Sequence, residues 1–266
     1  MTPSDPIGRP AAAPDRPALG RVIVATVLGN LYLLVGSVAC ALLALFAALL
    51  PRRGDPIYRV ARLWARGLLA ASRVGLEVHG ATPRLAGERR VFMANHQSLF
   101  DIPALLVALP DPARFLAKRS LFRIPVFGWA MRAGGFVPID RDDRVSARRS
   151  FSAALEHLSA GASLVIFPEA ERTLDGRLLP FQRGGFLLAL RSGWPIVPIG
   201  IAGALAVQSR HSFLIRPRTI TVRLGEPIVV RERSVRQLDG LVTEVERAVG
   251  ELAGAELARE TAPAGV

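Results

Sequence analysis

The spacing of apolar positions along this chain changes twice near its start, and each change predicts a different kind of element. From Val22 to Leu50 there is no periodicity: 29 residues pass without a charged side chain, between Arg21 and a Pro51-Arg52-Arg53 stop. As one helix that run would be roughly 43 Å long, more than the ~30 Å of a hydrocarbon core. It is too long for a signal-peptide core and no cleavage site follows, so the segment is expected in the membrane. Gly29-Asn30 and Gly36-Ser37 interrupt it, which leaves two geometries open, a tilted span and a bent helix within one leaflet. After Asp55-Pro56 the spacing becomes helical, to about Ser72. Arg59, Arg62, Arg66 and Arg73 fall on one side, and Ile57, Val60, Ala61, Trp64, Leu68 and Ala71 mostly on another. That pattern suits a helix lying in the headgroup layer, packed on the domain behind it, or both.

From Val74 the apolar runs shorten and are bounded by Gly, Pro and charged residues. Strands are expected at Gly75–Val78, Arg90–Ala94, Arg114–Ala117, Phe136–Ile139, Ser163–Phe167, Ile196–Ile201 and Thr219–Leu224. Helical patterns lie between several of them, the clearest being Ala147, Phe151, Ala154, Leu155 and Leu158, stopped by Gly161. Alternation of this kind predicts an α/β fold, a largely parallel or mixed central sheet flanked by helices, behind an N-terminal membrane-embedded helical segment. From Ser234 to about Ala258 the chain reads as an amphipathic helix with Leu238, Leu241, Val242, Val245, Val249 and Leu252 inward. The expected organisation is a disordered arm over 1–20, the membrane and interfacial helices over 21–73, the α/β domain over 74–230, and a C-terminal helix and tail over 231–266.

Composition narrows the partners. Half the chain is apolar, with a formal charge of +12, and the mean hydropathy is +0.32. Such a balance suits nucleic acid, an anionic membrane surface or acidic partners on electrostatics alone. Aromatics are only 6% of residues, and no basic cluster stands beside stacking aromatics, so nucleic acid is not expected as a partner. Arg52, Arg53, Arg59, Arg62 and Arg66 follow the uncharged run, whereas Arg9, Arg16 and Arg21 precede it with Asp5 and Asp15 nearby. This asymmetry puts the domain on the cytoplasmic side of the inner membrane. Cys40 is the only cysteine and His79, His157 and His211 stand apart; neither a disulfide framework, a metal site nor a nucleotide loop is expected. Lys118 is the only lysine among 34 basic residues, a hint that its position wants an ammonium.

The stretch Asn95-His96-Gln97-Ser98-Leu99-Phe100-Asp101 carries candidate chemistry. It joins a predicted strand to a short helix at which Asp101 would stand as N-cap, with Pro103 in the first turn. On such a turn the carboxylate can fold back on the imidazole and fix its tautomer. The other ring nitrogen is then left to take a proton from a hydroxyl. Ser98 is the rival as nucleophile, but no strained glycine elbow surrounds it. Three more polar clusters stand at predicted strand ends, where open α/β sheets place their sites. They are Lys118-Arg119 with Leu121, Pro125, Gly128, Gly134, Ile139, Asp140 and Arg141; Phe167-Pro168-Glu169-Ala170-Glu171-Arg172 with Asp175-Gly176 and Phe181-Gln182-Arg183-Gly184; and Val197-Pro198.

In this order the four blocks resemble the glycerolipid acyltransferase family, most closely its 1-acyl-glycerol-3-phosphate acyltransferases, over about residues 75 to 205. The resemblance implies transfer of a fatty acyl group from acyl-CoA or acyl carrier protein to the free hydroxyl of a lysophospholipid, with no other cofactor. His96 would be the base and Asp101 its partner; Asn95, Lys118, Glu169, Arg172 and Arg183 would bind substrate, the cations taking a phosphate monoester. The chain departs from the family where Glu-Gly-Thr-Arg is usual and Glu169-Ala170-Glu171-Arg172 stands instead, and again at Gln182, where a basic residue is usual. A glycine permits φ > 0 and a threonine donates a hydroxyl; Ala170 and Glu171 supply neither. Glu171 has three expected placements, toward solvent, paired with Arg177 or Arg183, or serving an amine-bearing acceptor such as a lyso-ornithine lipid. A thioesterase, or a lipid-binding protein without activity on the same fold, is the reading from a different class.

Overall fold

Short apolar runs bounded by breakers become the strands of one sheet. The computed structural model describes residues 17–49, 55–80, 89–139 and 163–254. Its strands are β1 (Gly75–His79), β2 (Val91–Ala94), β3 (Ala113–Lys118), β4 (Val137–Ile139), β5 (Ser163–Ile166), β6 (Ile196–Ala202) and β7 (Thr219–Leu224). Their order across the sheet is β1-β7-β6-β2-β5-β3-β4. β2 lies between β6 and β5 and is parallel to both; β3 joins β5 to β4, also in parallel. Only at β6–β7 does direction reverse, and β1 follows β7. The sheet is therefore mixed, and the carboxyl ends of β2, β3, β5 and β6 lie along one edge. Pro198 pairs with Met93 in β2, while the antiparallel ladder to β7 begins one residue later at Ile199. The missing N–H of Pro198 thus coincides with the start of that ladder.

Side chains of a strand alternate between faces, and β2 divides two cores. Phe92 and Ala94 pack with Phe100, Leu105, Val165 and Val197, against α3 (Pro56–Ala71) and α4 (Asp101–Ala108). Val91 and Met93 pack with Leu164, Phe186, Leu241, Val245 and Val249, against α6 (Gly184–Ser192) and α8 (Leu238–Ala253). Each large side chain so buried contributes roughly 1.5–3 kcal/mol, which is why both faces are covered. The helix expected over Ala147–Leu158, Asp140 and Arg141, Pro51-Arg52-Arg53 and most of the N-terminal arm lie outside the described residues.

The uncharged run is one 29-residue helix, Leu19–Ala47. The expected interruption at Gly36-Ser37 is a turn of π-helix over Tyr32–Gly36 between α1 (Leu19–Leu31) and α2 (Ser37–Ala47). This helix leans on the domain along its length. Thr26 Oγ1 donates to the Ile215 carbonyl (3.2 Å), and Asn30 Nδ2 to that of Phe213 (2.9 Å). Further along, Trp64 Nε1 donates to Ser37 Oγ (2.9 Å), and Ala41 and Ala44 meet Ala130 of α5 (Phe127–Ala133). A Cβ on Gly67 would stand 2.0 Å from Tyr32 Oη, so the glycine makes room for the ring. Apart from Val22, the inward positions are small, Ala25, Gly29, Ala41, Ala44 and Ala47, whereas Ile23, Val27, Leu31, Leu34, Leu42 and Phe46 are exposed. The helix thus presents a contiguous apolar face away from the domain, the kind that marks a partner or membrane surface.

α3 is the amphipathic helix expected from its arginines. Asp55 caps it by accepting from Tyr58 N (3.1 Å) and also pairs with Arg114 of β3. Tyr58, Ala65, Leu68 and Leu69 are buried against the domain while Arg59, Leu63 and Arg66 stay exposed. Packing on the domain and a basic outer face coexist.

Candidate active site

β2 ends at Ala94 and the chain turns through Asn95–Phe100 before α4 begins. The turn is built almost wholly by side chains bonded to backbone. Asn95 Nδ2 donates to the Ile201 carbonyl (2.9 Å) and its Oδ1 accepts from Ile201 N (2.7 Å), bracing the turn on β6. Its amide is thereby occupied and buried, so it does not reach a substrate in this arrangement. Asp101 is not the helix cap expected. It is the first residue of α4, Phe100 holds the cap position, and no side chain caps the helix there. The carboxylate instead folds backward: Oδ2 accepts from Gln97 N and Ser98 N, both at 2.7 Å, and stands 2.7 Å from His96 Nδ1. An oxygen already accepting two N–H bonds is an acceptor toward the third partner, so Nδ1 carries the hydrogen. Nε2 is left with its lone pair.

The ring is held on its face as well. Phe167, just after β5, stacks on His96 at 4.1 Å with 15° between planes. The segment that follows wraps the turn: Glu169 Oε1 accepts from His96 N (2.6 Å), and Thr173 N donates to the His96 carbonyl (2.9 Å). Glu169 Oε2 accepts from Leu179 N (2.8 Å). Burial pushes the Glu169 carboxyl up to about 8, against the downward pull of these two N–H groups. Ser98 is fully buried, donates from Oγ to the Gln208 carbonyl (2.7 Å) and accepts from Phe100 N. It has no route to a substrate, and the serine rival falls away.

Beside the turn opens a cavity of about 480 Å³ lined by Lys118, Arg119, Arg123 and Arg210, with Glu169, Glu171 and Gln182 among its other walls. Lys118 ends β3, as the strand pattern predicts. Arg172, half-buried, follows the cavity-lining Ala170 and Glu171, and its carbonyl accepts from Arg210 Nη1. Burial and then the neighbouring Arg210 guanidinium lower its pKa, while Asp101 acts the other way. Arg183 is not part of this group. It opens the turn into α6 on the side of α8 and pairs with Asp239 at 2.7 Å, both side chains exposed. Arg123 and Arg210 carry no motif and were not legible as site residues; Arg210 sits on the irregular segment after α7 (Ala204–Val207). Glu171 pairs with that arginine, Arg210 Nη1 to Oε2 at 2.7 Å, while Arg177 stands by Asp175. Ala170 adopts φ +64°, so the chain keeps the glycine-like backbone although the residue is not glycine.

An imidazole held by a carboxylate near a cationic cavity, at the carboxyl edge of a mixed α/β sheet, agrees with what comparison with known proteins finds. The family described as Acyltransferase matches residues 75–202. This match, with the relatives that follow, supports the glycerolipid acyltransferase family for this chain. It is 43% identical over 113 residues to a chloroplastic 1-acyl-sn-glycerol-3-phosphate acyltransferase of Brassica napus, covering 42% of this chain. It spans about a third (33%) of that relative's length. With the 1-acyl-sn-glycerol-3-phosphate acyltransferase of Salmonella typhimurium it shares 28% identity over 245 residues, 91% of this chain and 95% of that one. The crystal structure of the acyltransferase PlsC from Thermotoga maritima superposes with a TM-score of 0.74 at 26% identity, covering 90% of this chain and 98% of that one.

Proposed function

We propose that this chain is a membrane-bound enzyme that moves a fatty acyl group from an acyl-CoA or acyl carrier protein thioester to the free hydroxyl of 1-acyl-glycerol-3-phosphate, giving phosphatidic acid. One observation carries the reading: His96 Nδ1 lies 2.7 Å from Asp101 Oδ2, which leaves Nε2 free of the carboxylate, and Glu169, which accepts from His96 N, also lines the cavity walled by cations. An alcohol attacks a thioester well only when a base takes its proton in the transition state, and an imidazole with a pKa of ~6.5 is available for that at neutral pH. Nε2 accepts the hydroxyl proton as the oxygen bonds to the thioester carbon. Asp101 stabilises the imidazolium, and the tetrahedral intermediate expels the thiolate, which takes that proton back. Lys118 and Arg172 bind the acceptor phosphate, Glu169 fixes the loop under them, and Asn95 positions the turn. Arg183, tied to Asp239, has no part in this.

The α/β unit over 74–230 is the catalytic domain, facing the cytoplasm at the inner membrane. Between the two geometries open for the front helix, its contacts from Thr26 to Ala44 support a helix lying along the lipid surface. A helix that leaves the domain to cross the bilayer would forfeit them. The amine-bearing acceptor raised by Glu171 loses its main support, because that carboxylate is already neutralised by Arg210.

The experiment is thiol release in mixed micelles over a panel of lysolipid acceptors with both thioester donors. Lysophosphatidic acid is expected to head the panel. Turnover of an amine-bearing lysolipid in preference to lysophosphatidic acid sinks the assignment of acceptor; thiol release independent of any acceptor sinks acyl transfer itself and favours a thioesterase.

A further inference from the structure

Of the cavity's cations, the acceptor site assigned above uses Lys118 and leaves Arg210 without a role. Arg210 belongs to none of the four blocks. It reaches the wall from a segment whose first residue, Gln208, is fixed to the catalytic turn by Ser98 Oγ donating to its carbonyl at 2.7 Å. Two residues on, Arg210 Nη1 donates to Glu171 Oε2 (2.7 Å) and to the Arg172 carbonyl (3.1 Å). Both anchors belong to the loop that wraps His96. Among the described residues its hydrogen bonds use Nη1 alone, so Nε and Nη2 remain as a free edge. The pair is lopsided in exposure, 30% for the Arg210 side chain and 57% for Glu171. The guanidinium is the inner partner and the carboxylate stands at the rim.

A surface ion pair would account for the Glu171 contact but not for the company Arg210 keeps. Lys118, Arg119 and Arg123 share its cavity, and the Arg172 guanidinium is close enough for the two to repel. Like charges gathered in a partly desolvated wall are unfavourable until an anion arrives. The guanidinium fork matches two oxygens of a phosphate monoester, which carries nearly two negative charges.

We propose that Arg210 is a phosphate-binding residue of the acceptor site, with Glu171 as the clamp that holds its Nη1 and turns the Nε/Nη2 edge toward the phosphate. The inference rests on the acyltransferase reading above. It also gives the altered Glu169-Ala170-Glu171-Arg172 block a purpose: an anion in the second variant position recruits a cation from another loop.

The test is acceptor kinetics of the full-length chain in mixed micelles, with inorganic phosphate as competing anion. Arg210→Ala is expected to raise KM for lysophosphatidic acid about 10- to 100-fold, the worth of a charged hydrogen-bond pair, with kcat changed less than about threefold. Inhibition by inorganic phosphate weakens by a similar factor, and turnover of phosphate-free monoacylglycerol does not fall. Arg210→Gln keeps a donor to Glu171 without the charge and shows the same losses, so a folding defect of the alanine variant is separable. Glu171→Ala gives a smaller rise in KM, and Arg210→Lys recovers part of the loss. KM and phosphate inhibition both within twofold of wild type in either Arg210 variant overturn the proposal while leaving the acyltransferase reading intact. Wild-type protein that ignores lysophosphatidic acid yet is protected from thermal unfolding by phosphate, in a manner lost in Arg210→Gln, overturns the acceptor assignment and supports the arginine.

Discussion

The turn at 95–101 and the cavity rim that includes Lys118, Arg123, Glu169, Glu171 and Arg210 meet through Glu169, which accepts from His96 N, but are made in opposite ways. In the turn, the polar side chains that can be traced are tied to backbone: Asn95 to Ile201, Ser98 to Gln208, Asp101 to Gln97 and Ser98. At the rim, long charged side chains face one another and water, joined by ion pairs such as Arg210–Glu171. Backbone partners do not change when a residue is replaced elsewhere, so the turn tolerates little and holds its geometry. Side-chain partners can be exchanged in pairs. The proposed function would thus lodge its chemistry where the fold fixes it, and its choice of acceptor where sequence can drift.

The sharpest way to break this contrast is at His96. His96→Ala is expected to remove on the order of 10²–10⁴-fold of kcat, as for a positioned base, whereas rim substitutions act mainly through KM. Well-folded His96→Ala protein turning over within tenfold of wild type would erase the distinction. Asp101→Asn comes next. Its amide oxygen can take the place of Oδ2 and still accept from Gln97 N, Ser98 N and His96 Nδ1, so the fold and the tautomer persist, but the negative charge that stabilises an imidazolium is lost. A loss on the order of 10- to 1000-fold in kcat, smaller than for His96→Ala and without a fall in melting temperature, is expected.

Glu169 stands at the seam between the two regions, and pH sharpens the comparison there. Its pKa is raised to about 8 from an ordinary 4.5, chiefly by burial. The folded protein then holds a proton that the unfolded chain releases at lower pH. The stability this contributes is complete below about pH 4.5, declines as pH rises and is gone above about 8. Denaturation midpoints of wild type in detergent should fall across that window relative to Glu169→Gln, even though the glutamine is less stable overall for losing one N–H acceptor. Parallel curves for the two proteins would show that the carboxylate is charged throughout and belongs with the rim. The smallest effect is at Ala170. An alanine at φ +64° bears a penalty of roughly 1–2 kcal/mol that glycine avoids. Ala170→Gly should raise stability by up to about 1 kcal/mol with little change in kcat, read as a shift in denaturation midpoint. A decrease would mean that the chain has adapted to the alanine.

What could be read from the sequence follows the range of the interactions. The strands were legible because each is a short apolar run between breakers, and the His96–Asp101 pair because only four residues separate its members. The direction in which Asp101 folds was not, since a carboxylate at a helix start can serve the turn before it or the helix after it. Arg210 was out of reach: its partner Glu171 is 39 residues away, and no spacing rule connects them. Arg183 misled because it follows a motif residue in the chain while its side chain leaves toward Asp239 on α8. The reversal at β6–β7 is likewise set by packing and not by any local pattern. In the front helix the apolar run announced lipid, but which apolar residues meet the domain and which meet lipid is a matter of size that hydropathy does not encode.

That small-inward, large-outward helix bears on how the protein meets its substrates. On the membrane-bound reading proposed above, with Ala25, Gly29, Ala41 and Ala44 against the domain and Leu31, Leu42 and Phe46 facing out, the catalytic unit would be moored sideways to a lipid sheet. A lysolipid arriving there diffuses in two dimensions, and its effective concentration is its mole fraction in the sheet. Adding inert lipid or detergent would slow the reaction by dilution within the surface, at a constant amount of substrate per volume. The thioester donor, arriving from water, would saturate in ordinary molar units. One enzyme would obey two concentration scales, set by the size of a few side chains on a single helix.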